Sequence, residues 1–296
     1  MRLSDSKIKG AFLTLFGAAC WGISGSVGQY LFTYEGMDSR WLVPIRLGIA
    51  GIFLLIYGYS RWHDDLFLPW RNRKDAVGLL IYGLAGVSMC QFLYFLTIQF
   101  SSAAVGTILQ DLSPVMILIV TCIMDHRPPK AKDILCVILA LAGVWLLSTH
   151  GDPSHLSIPA KALLSGIMSA VCVTIYNVQP RELLKKYPVI ILQGWAFLMG
   201  SVFFCLIFRI WSFHQVITPA GALGIAAVVL IGNILAFPCY MSGVRMIGPQ
   251  KAILYSFAEP ATAALITVSV FHQPVVFADI AGFLLIFFMI VLISQN

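Results

Sequence analysis

The sequence predicts an all-α integral membrane protein, with ten transmembrane helices as two inverted five-helix repeats. Three observations predict it. The first is composition: of 296 residues, 59% are hydrophobic and 11% charged, with a mean hydropathy of +0.88, whereas a soluble domain carries roughly 25% charge. So few polar residues cannot coat a globule of this size, and apolar runs of about 20 residues are long enough to cross a bilayer. The second is an internal repeat. Residues 101–148, moved forward by 146 positions without a gap, fall on residues 247–294. Pro114 then meets Pro260, Thr121 meets Thr267, His126 meets His272, Pro128 meets Pro274 and Asp133 meets Asp279. Ile134, Leu139, Leu146 and Ser148 also find identical partners. Apolar matches are cheap in such a chain, but a helix-interior proline, a loop His-x-Pro and a helix-start Asp in one register are not. The third is the distribution of basic residues, which requires the elements in order.

Ten apolar segments run at about residues 8–33, 38–60, 76–98, 102–124, 131–149, 158–180, 188–211, 219–244, 249–271 and 275–294. The first follows Arg2, Lys7 and Lys9, and Gly17-Ala18-Ala19-Cys20 mimics a cleavage site. Little apolar sequence precedes that site and the run continues to Phe32, so an uncleaved spanning helix is expected rather than a secretion signal. The second holds Pro44 and Arg46; the link after it, Arg61–Asp75, contains an acidic pair, Asp64-Asp65, read as solvated. The third carries Gln91 and Tyr94, one turn apart on one face. The fourth carries Gln110 and Asp111 just ahead of Pro114, and the fifth opens near Asp133. After the link His150–Ser157, the sixth carries Tyr176 and Asn177, the seventh Gln193 and Trp195, and the eighth Asn233 and Tyr240. Tyr255, Glu259 and Pro260 lie in the ninth, and Asp279 opens the tenth.

With the N-terminus placed inside, the inner segments hold fifteen of the 19 Lys and Arg residues, from Arg2 through the loops at Arg71–Lys74, Arg127–Lys132 and Arg181–Lys186 to Lys251. The outer segments hold only Arg40, Lys161 and Arg209, and Arg46 falls within a helix. Both termini are therefore expected in the cytoplasm. Five helices per half is an odd number, so the second half enters the membrane from the opposite side. The halves are then related by a pseudo-two-fold axis in the membrane plane, with a binding site near the midplane between them. Their first helices agree as well: Lys9/Lys161, Ala18/Ala170 and Cys20/Cys172 match at an offset of 152.

Other classes are disfavoured. The seven cysteines are scattered singly in apolar runs without a CxxC, so neither a disulfide framework nor a metal site is expected, and no cofactor. No GxSxG, HExxH or P-loop pattern occurs. The net charge of +6 reflects basic inner loops. No Lys/Arg cluster interleaves with aromatics, so no nucleic-acid partner is expected. The partners expected are a small-molecule solute and the lipid bilayer, with a homodimer left open.

Several motifs carry a family likeness: Cys20-Trp21-Gly22-Ile23-Ser24-Gly25, Pro44-Ile45-Arg46, Ser102-Ala103-Ala104 with Leu112-Ser113-Pro114, and Ala258-Glu259-Pro260. On these the chain resembles the EamA family of the drug/metabolite transporter (DMT) superfamily, over nearly its whole length. The resemblance implies a first EamA repeat at residues 1–149 and a second at 150–296. It also implies ten helices, cytoplasmic termini, a cell (inner or plasma) membrane location and transport of a small organic solute. One departure is visible. Where the family has Gly-Glu-Arg after the fourth and ninth helices, this chain has Asp125-His126-Arg127 and Phe271-His272-Gln273. Any role of that Glu is not carried over.

Three ionisable residues sit deep in apolar runs. Arg46 lies about 12 Å and Asp111 about 14 Å from the outer ends of their segments, and Glu259 about 15 Å from the inner end of its own. A charge at such depth needs a partner or a wet cavity. The matching heights predict an Arg46–Asp111 pair, and Glu259 has no evident partner. Pro260 removes a backbone bond back toward Ser256, and Ser113-Pro114 repeats the device in the first half. Two such breaks facing each other are a usual way to build a midplane site, although a simple kink is the plainer alternative. The expected substrate-binding set is Trp21, Arg46, Gln91, Tyr94, Gln110, Asp111, Tyr176, Asn177, Asn233, Tyr240 and Tyr255, with Glu259 as the proton-coupling residue. Each polar residue alone is more often packing glue. Gly22, Gly25 and Gly28 form a smooth stripe for close helix approach. Most of the tryptophans flank segment ends as an aromatic belt, with Trp21 the deep exception. The expected function is secondary active transport of an amino acid or amine-like solute, by proton-coupled export with alternating access. The alternatives are a facilitative channel or uniporter, or a membrane-embedded enzyme, for which the loops offer no converging nucleophile or metal set.

Overall fold

The computed structural model describes residues 3–124, 126, 128–152, 157–215, 217–247, 252 and 255–294; of residues 3–6, 64, 121, 181, 245 and 294 it describes the backbone alone. Arg2, Asp125, Arg127 and Lys251 lie outside the described residues, as do the side chains of Asp64, Thr121, Arg181 and Arg245.

The described elements are helical throughout. They are α1 (Leu3–Thr33), α2 (Ser39–Trp62), α3 (Arg73–Phe100), α4 (Ala103–Met124), α5 (Ala131–Thr149), α6 (Ala160–Val178), α7 (Val189–Phe208), α8 (Pro219–Val244), α9 (Ala258–Ser269) and α10 (Phe277–Ser294). The first eight are long and apolar enough to cross a bilayer, while α10 counts among the shorter apolar helices. Of the expected ninth segment, the helix runs from Ala258 to Ser269.

Helix starts are satisfied by side chains reaching across the sequence, as unpaired N–H groups in an apolar medium require. The Oε1 of Gln29 accepts from the Ala103 N–H at 2.8 Å, where α4 begins. The Oε1 of Gln99 accepts from the Ser39 N–H at 2.9 Å, where α2 begins. Before α5 the chain turns through His126 (φ 48°), and before α10 it turns through His272 (φ 52°), both left-handed. Proline follows each histidine at the second position and blocks helix continuation. Asp133 Oδ2 then accepts from the Lys130 N–H at 3.0 Å, and Asp279 Oδ2 from the Val276 N–H at 3.1 Å. Each carboxylate closes the first turn of its helix.

Among the described residues, four interruptions break the regular helices. In α3, residues Ile81–Ser88 wind as a π-helix, and in α8 residues Val228–Leu235 do the same. In α4, a turn at Asp111 and Leu112 precedes Ser113-Pro114; a turn at Ser256 and Phe257 precedes α9. Pro114 and Pro260 lack the N–H that would extend the preceding turn. The carbonyl of Ser256, expected to be freed by Pro260, is not free: the Glu259 N–H donates to it at 2.9 Å. The chain tightens to an i+3 bond instead of leaving an orphan acceptor.

Packing pairs α1 with α8, α3 with α6, α2 with α7 and α5 with α10; α1 also packs on α9, α6 on α4, and α4 on α9. The glycine stripe of α1 allows its close approach to α9 and to α3. A Cβ on Gly22 would stand 2.5 Å from the Glu259 carbonyl oxygen, one on Gly25 would meet Tyr94 Oη, and one on Gly28 would stand 2.6 Å from the Phe95 ring.

Candidate functional site

The interruptions surround one cavity of about 130 Å³, lined from α1, α2, α3, α4, α6, α7, α8 and α9 but not from α5 or α10. Arg46 reaches it from α2, 2% exposed. Its guanidinium carbon lies 4.0 Å from the centroid of the Phe95 ring, a cation–π contact. Arg46 Nη2 donates to Gln91 Oε1 at 2.9 Å and to Asn233 Oδ1 at 2.6 Å. Asn233 belongs to the π-helical stretch of α8, so the irregular turn holds the amide against the guanidinium. Among the described residues Arg46 Nε and Nη1 find no hydrogen-bond acceptor.

Glu259 enters from the first turn of α9. Tyr94 Oη lies 3.5 Å from its Oε1, a long distance for a hydroxyl donor, so the contact orients the carboxyl without holding it tightly. Trp21 donates its indole N–H to the Gly232 carbonyl at 2.9 Å and packs against Tyr240 with ring centroids 4.9 Å apart and planes tilted by 45°. That bond ties α1 to the π-helical stretch of α8 and satisfies a carbonyl there. Gln110 projects into the cavity from the turn before the α4 break, and its Nε2 points at Cys90 Sγ, 3.5 Å away. Tyr176 closes one side; a Cβ on Gly86, in the π-helical stretch of α3, would be 2.7 Å from the Tyr176 Cβ.

Of the residues expected from sequence, Trp21, Arg46, Gln91, Tyr94, Gln110, Tyr176 and Glu259 line this cavity. Asn233 and Tyr240 support it through Arg46 and Trp21. Asp111, Asn177 and Tyr255 do not line it. Asn177 is exposed and donates to the Val173 carbonyl of its own helix at 2.8 Å. The expected Arg46–Asp111 pair is not formed: among the described residues no carboxylate lies within ion-pair distance of Arg46, and Asp111 Oδ2 is buried without a partner. Sequence reasoning missed Tyr82, Cys90 and Phe95, and named Gln193 without assigning it to the site. Tyr82 donates to Gln193 Oε1 at 2.7 Å, both lining the cavity. Among the described residues no group of three or more His, Cys, Asp or Glu is placed to hold a metal ion.

An arginine and a carboxyl thus share one enclosed space with amides and aromatic rings. That set can bind a small polar solute and exchange a proton with it or alongside it. The chain is 34% identical over 288 residues to the uncharacterized inner membrane transporter YicL of Salmonella typhimurium, covering 97% of this chain and 96% of that one. It is 24% identical to the uncharacterized transporter YwfM of Bacillus subtilis, over 88% of this chain and 86% of the relative. A solved crystal structure superposes with a TM-score of 0.65 over 98% of this chain and 96% of the other; at 16% identity the likeness concerns the fold. The profile of the EamA-like transporter family matches twice, at residues 8–149 and 160–295. The chain belongs to the EamA-like transporter family and is a multi-pass membrane transporter.

Proposed function

We propose that the chain is a secondary active transporter of a small organic metabolite, an amino acid or amine-like solute, exported against an inward flow of protons. Export follows by analogy with the family likeness. The cavity is the binding site and Glu259 the coupling group, alternately loaded with a proton and in contact with solute. The observation that carries this reading is Glu259 in the same enclosed space as Arg46, one residue before Pro260 and beside a break in the helix path. Such breaks mark the midplane sites of secondary transporters.

The architecture proposed is ten spanning helices in two inverted repeats, residues 1–149 and 150–296, in the cell (inner or plasma) membrane with both termini cytoplasmic. Several features support it. The π-helical stretches begin 147 residues apart, at Ile81 and Val228. The left-handed histidines and the capping aspartates recur at 146. Exchanging the halves turns the α1–α8 contact into α6–α3 and the α1–α9 contact into α6–α4, and all four are present. Surface grooves repeat too. Leu118, Ile119, Cys122, Pro128, Pro129, Asp133, Ile134 and Val137 line one; residues 146 positions on line the other.

The test is Glu259→Gln in proteoliposomes, which keeps the shape and removes the charge. Solute flux driven by a pH gradient is expected to vanish while the protein stays folded. If the variant transports with unchanged pH dependence, Glu259 is structural and the coupling is wrong. Wild-type flux that follows a solute gradient and ignores the pH gradient would instead establish a facilitative uniporter.

A further inference from the structure

Burying a guanidinium without a counter-charge is costly, and proteins normally offset the cost with a carboxylate partner. Arg46 has none. It is 2% exposed, and its neighbours are two neutral amides and the face of a phenyl ring. These take up Nη2 and fix the plane of the guanidinium, but they do not neutralise it. Nε and Nη1 are left without acceptors in a residue that lines the cavity. A buried cation without a counter-charge, with two donors unused, is suited to take an anion that enters the cavity it lines.

We infer that Arg46 is the carboxylate anchor of the transported solute, so the cargo is a small carboxylate-bearing molecule and not a simple amine. This rests on the transport reading and narrows it. The other charge in the cavity, Glu259, then faces the ammonium of an amino acid, or a proton when the solute is a plain carboxylate.

Three probes of similar size separate the charges: alanine carries both groups, propionate only the carboxylate, ethylamine only the ammonium. Binding to the purified full-length protein in detergent is read with radiolabelled alanine and, independently, by the shift of the thermal unfolding midpoint at equal millimolar probe concentrations. Alanine and propionate are expected to stabilise, and propionate to displace labelled alanine, while ethylamine does neither. Arg46→Gln should weaken alanine binding roughly 10- to 100-fold, the range expected for loss of charge-assisted hydrogen bonds. Arg46→Lys keeps the charge and should retain part of the binding. Ethylamine competing as well as propionate overturns the inference, as does Arg46→Gln binding at wild-type strength. Failure of both alanine and propionate to bind the wild-type protein also overturns it. The probe comparison uses wild-type protein, so it stands even if Arg46→Gln fails to fold. No gradient is applied, so failure of proton coupling, read from flux in Glu259→Gln, is distinguishable from failure of the anchor.

Discussion

Gly22 is where the position of Glu259 is set, and Gly22→Ala should displace it. A single methyl group is added on α1, facing α9. Its carbon would lie 2.5 Å from the Glu259 carbonyl oxygen, 2.9 Å from the Thr262 Cβ and 3.2 Å from the Ala263 nitrogen. Two of the three obstacles are backbone atoms and cannot rotate away. Helix propensity favours Ala over Gly by about 1 kcal/mol, while overpacking costs about 1–3 kcal/mol. With backbone in the way the cost lies at the upper end, for a net loss of about 2 kcal/mol. Gly78→Ala in α3 is the control. Its added carbon would stand 3.3 Å from the tip of Leu183 and 3.4 Å from the end of Gln179, both flexible. The propensity gain should prevail there, raising stability by up to about 1 kcal/mol. Thermal unfolding of the two variants in detergent should place their midpoints on opposite sides of wild type, with Gly22→Ala on the order of 5 °C lower. Gly22→Ala should also transport poorly, since the methyl pushes on the turn that presents Glu259. A Gly22→Ala protein as stable and active as wild type would refute the close packing of α1 on α9.

Two further outcomes are expected. Asp133→Ala and Asp279→Ala each remove a first-turn cap and should each cost about 1 kcal/mol. The sites lie about 25 Å apart, the length of α5, so the double variant should show the sum of the two losses in thermal unfolding. Single cysteines at Lys74, Lys130 or Lys185 in a cysteine-free background should resist an impermeant thiol reagent in intact cells; labelling from outside at any of them overturns the proposed orientation.

The height of a residue was legible in the sequence, but its azimuth was not. A rise of about 1.5 Å per residue placed Arg46, Asp111 and Glu259 in one layer, and Arg46 and Glu259 do share a cavity. The predicted Arg46–Asp111 pair failed because equal depth says nothing about facing. Neighbours on a helix point about 100° apart, so of Gln110 and Asp111 only Gln110 lines the cavity, and of Tyr176 and Asn177 only Tyr176. Tyr255 failed for another reason. Its placement on the face of Glu259 assumed a continuous helix, but the chain turns at Ser256 and Phe257 between them. The two prolines announced both breaks. Nothing announced the π-helical stretches, which carry no proline and read as ordinary apolar helix with glycine. Their contribution, Asn233 held against Arg46, could not be derived from periodicity.

The distribution of irregular backbone itself argues for where the protein moves. In a bilayer an unsatisfied peptide group is tolerated only against protein or in a wet cavity. The π-helical stretches of α3 and α8 contribute residues to the cavity, the turn at 111–112 adjoins Gln110, and the turn at 256–257 ends two residues before Glu259. The helices without such interruptions that stand clear of the cavity, α5 and α10, pack on each other. A Cβ on Gly143 would lie 2.7 Å from Ile286, and one on Gly282 2.8 Å from the Gly143 carbonyl. That pair has little room to slide. The irregular turns therefore lie in or beside helices that line the cavity, while the closely packed α5 and α10 stand clear of it. Rearrangement around a bound solute would bend α3, α4 and α8 at their breaks and α9 at the turn before it, shifting Glu259 relative to Arg46 on the uninterrupted α2.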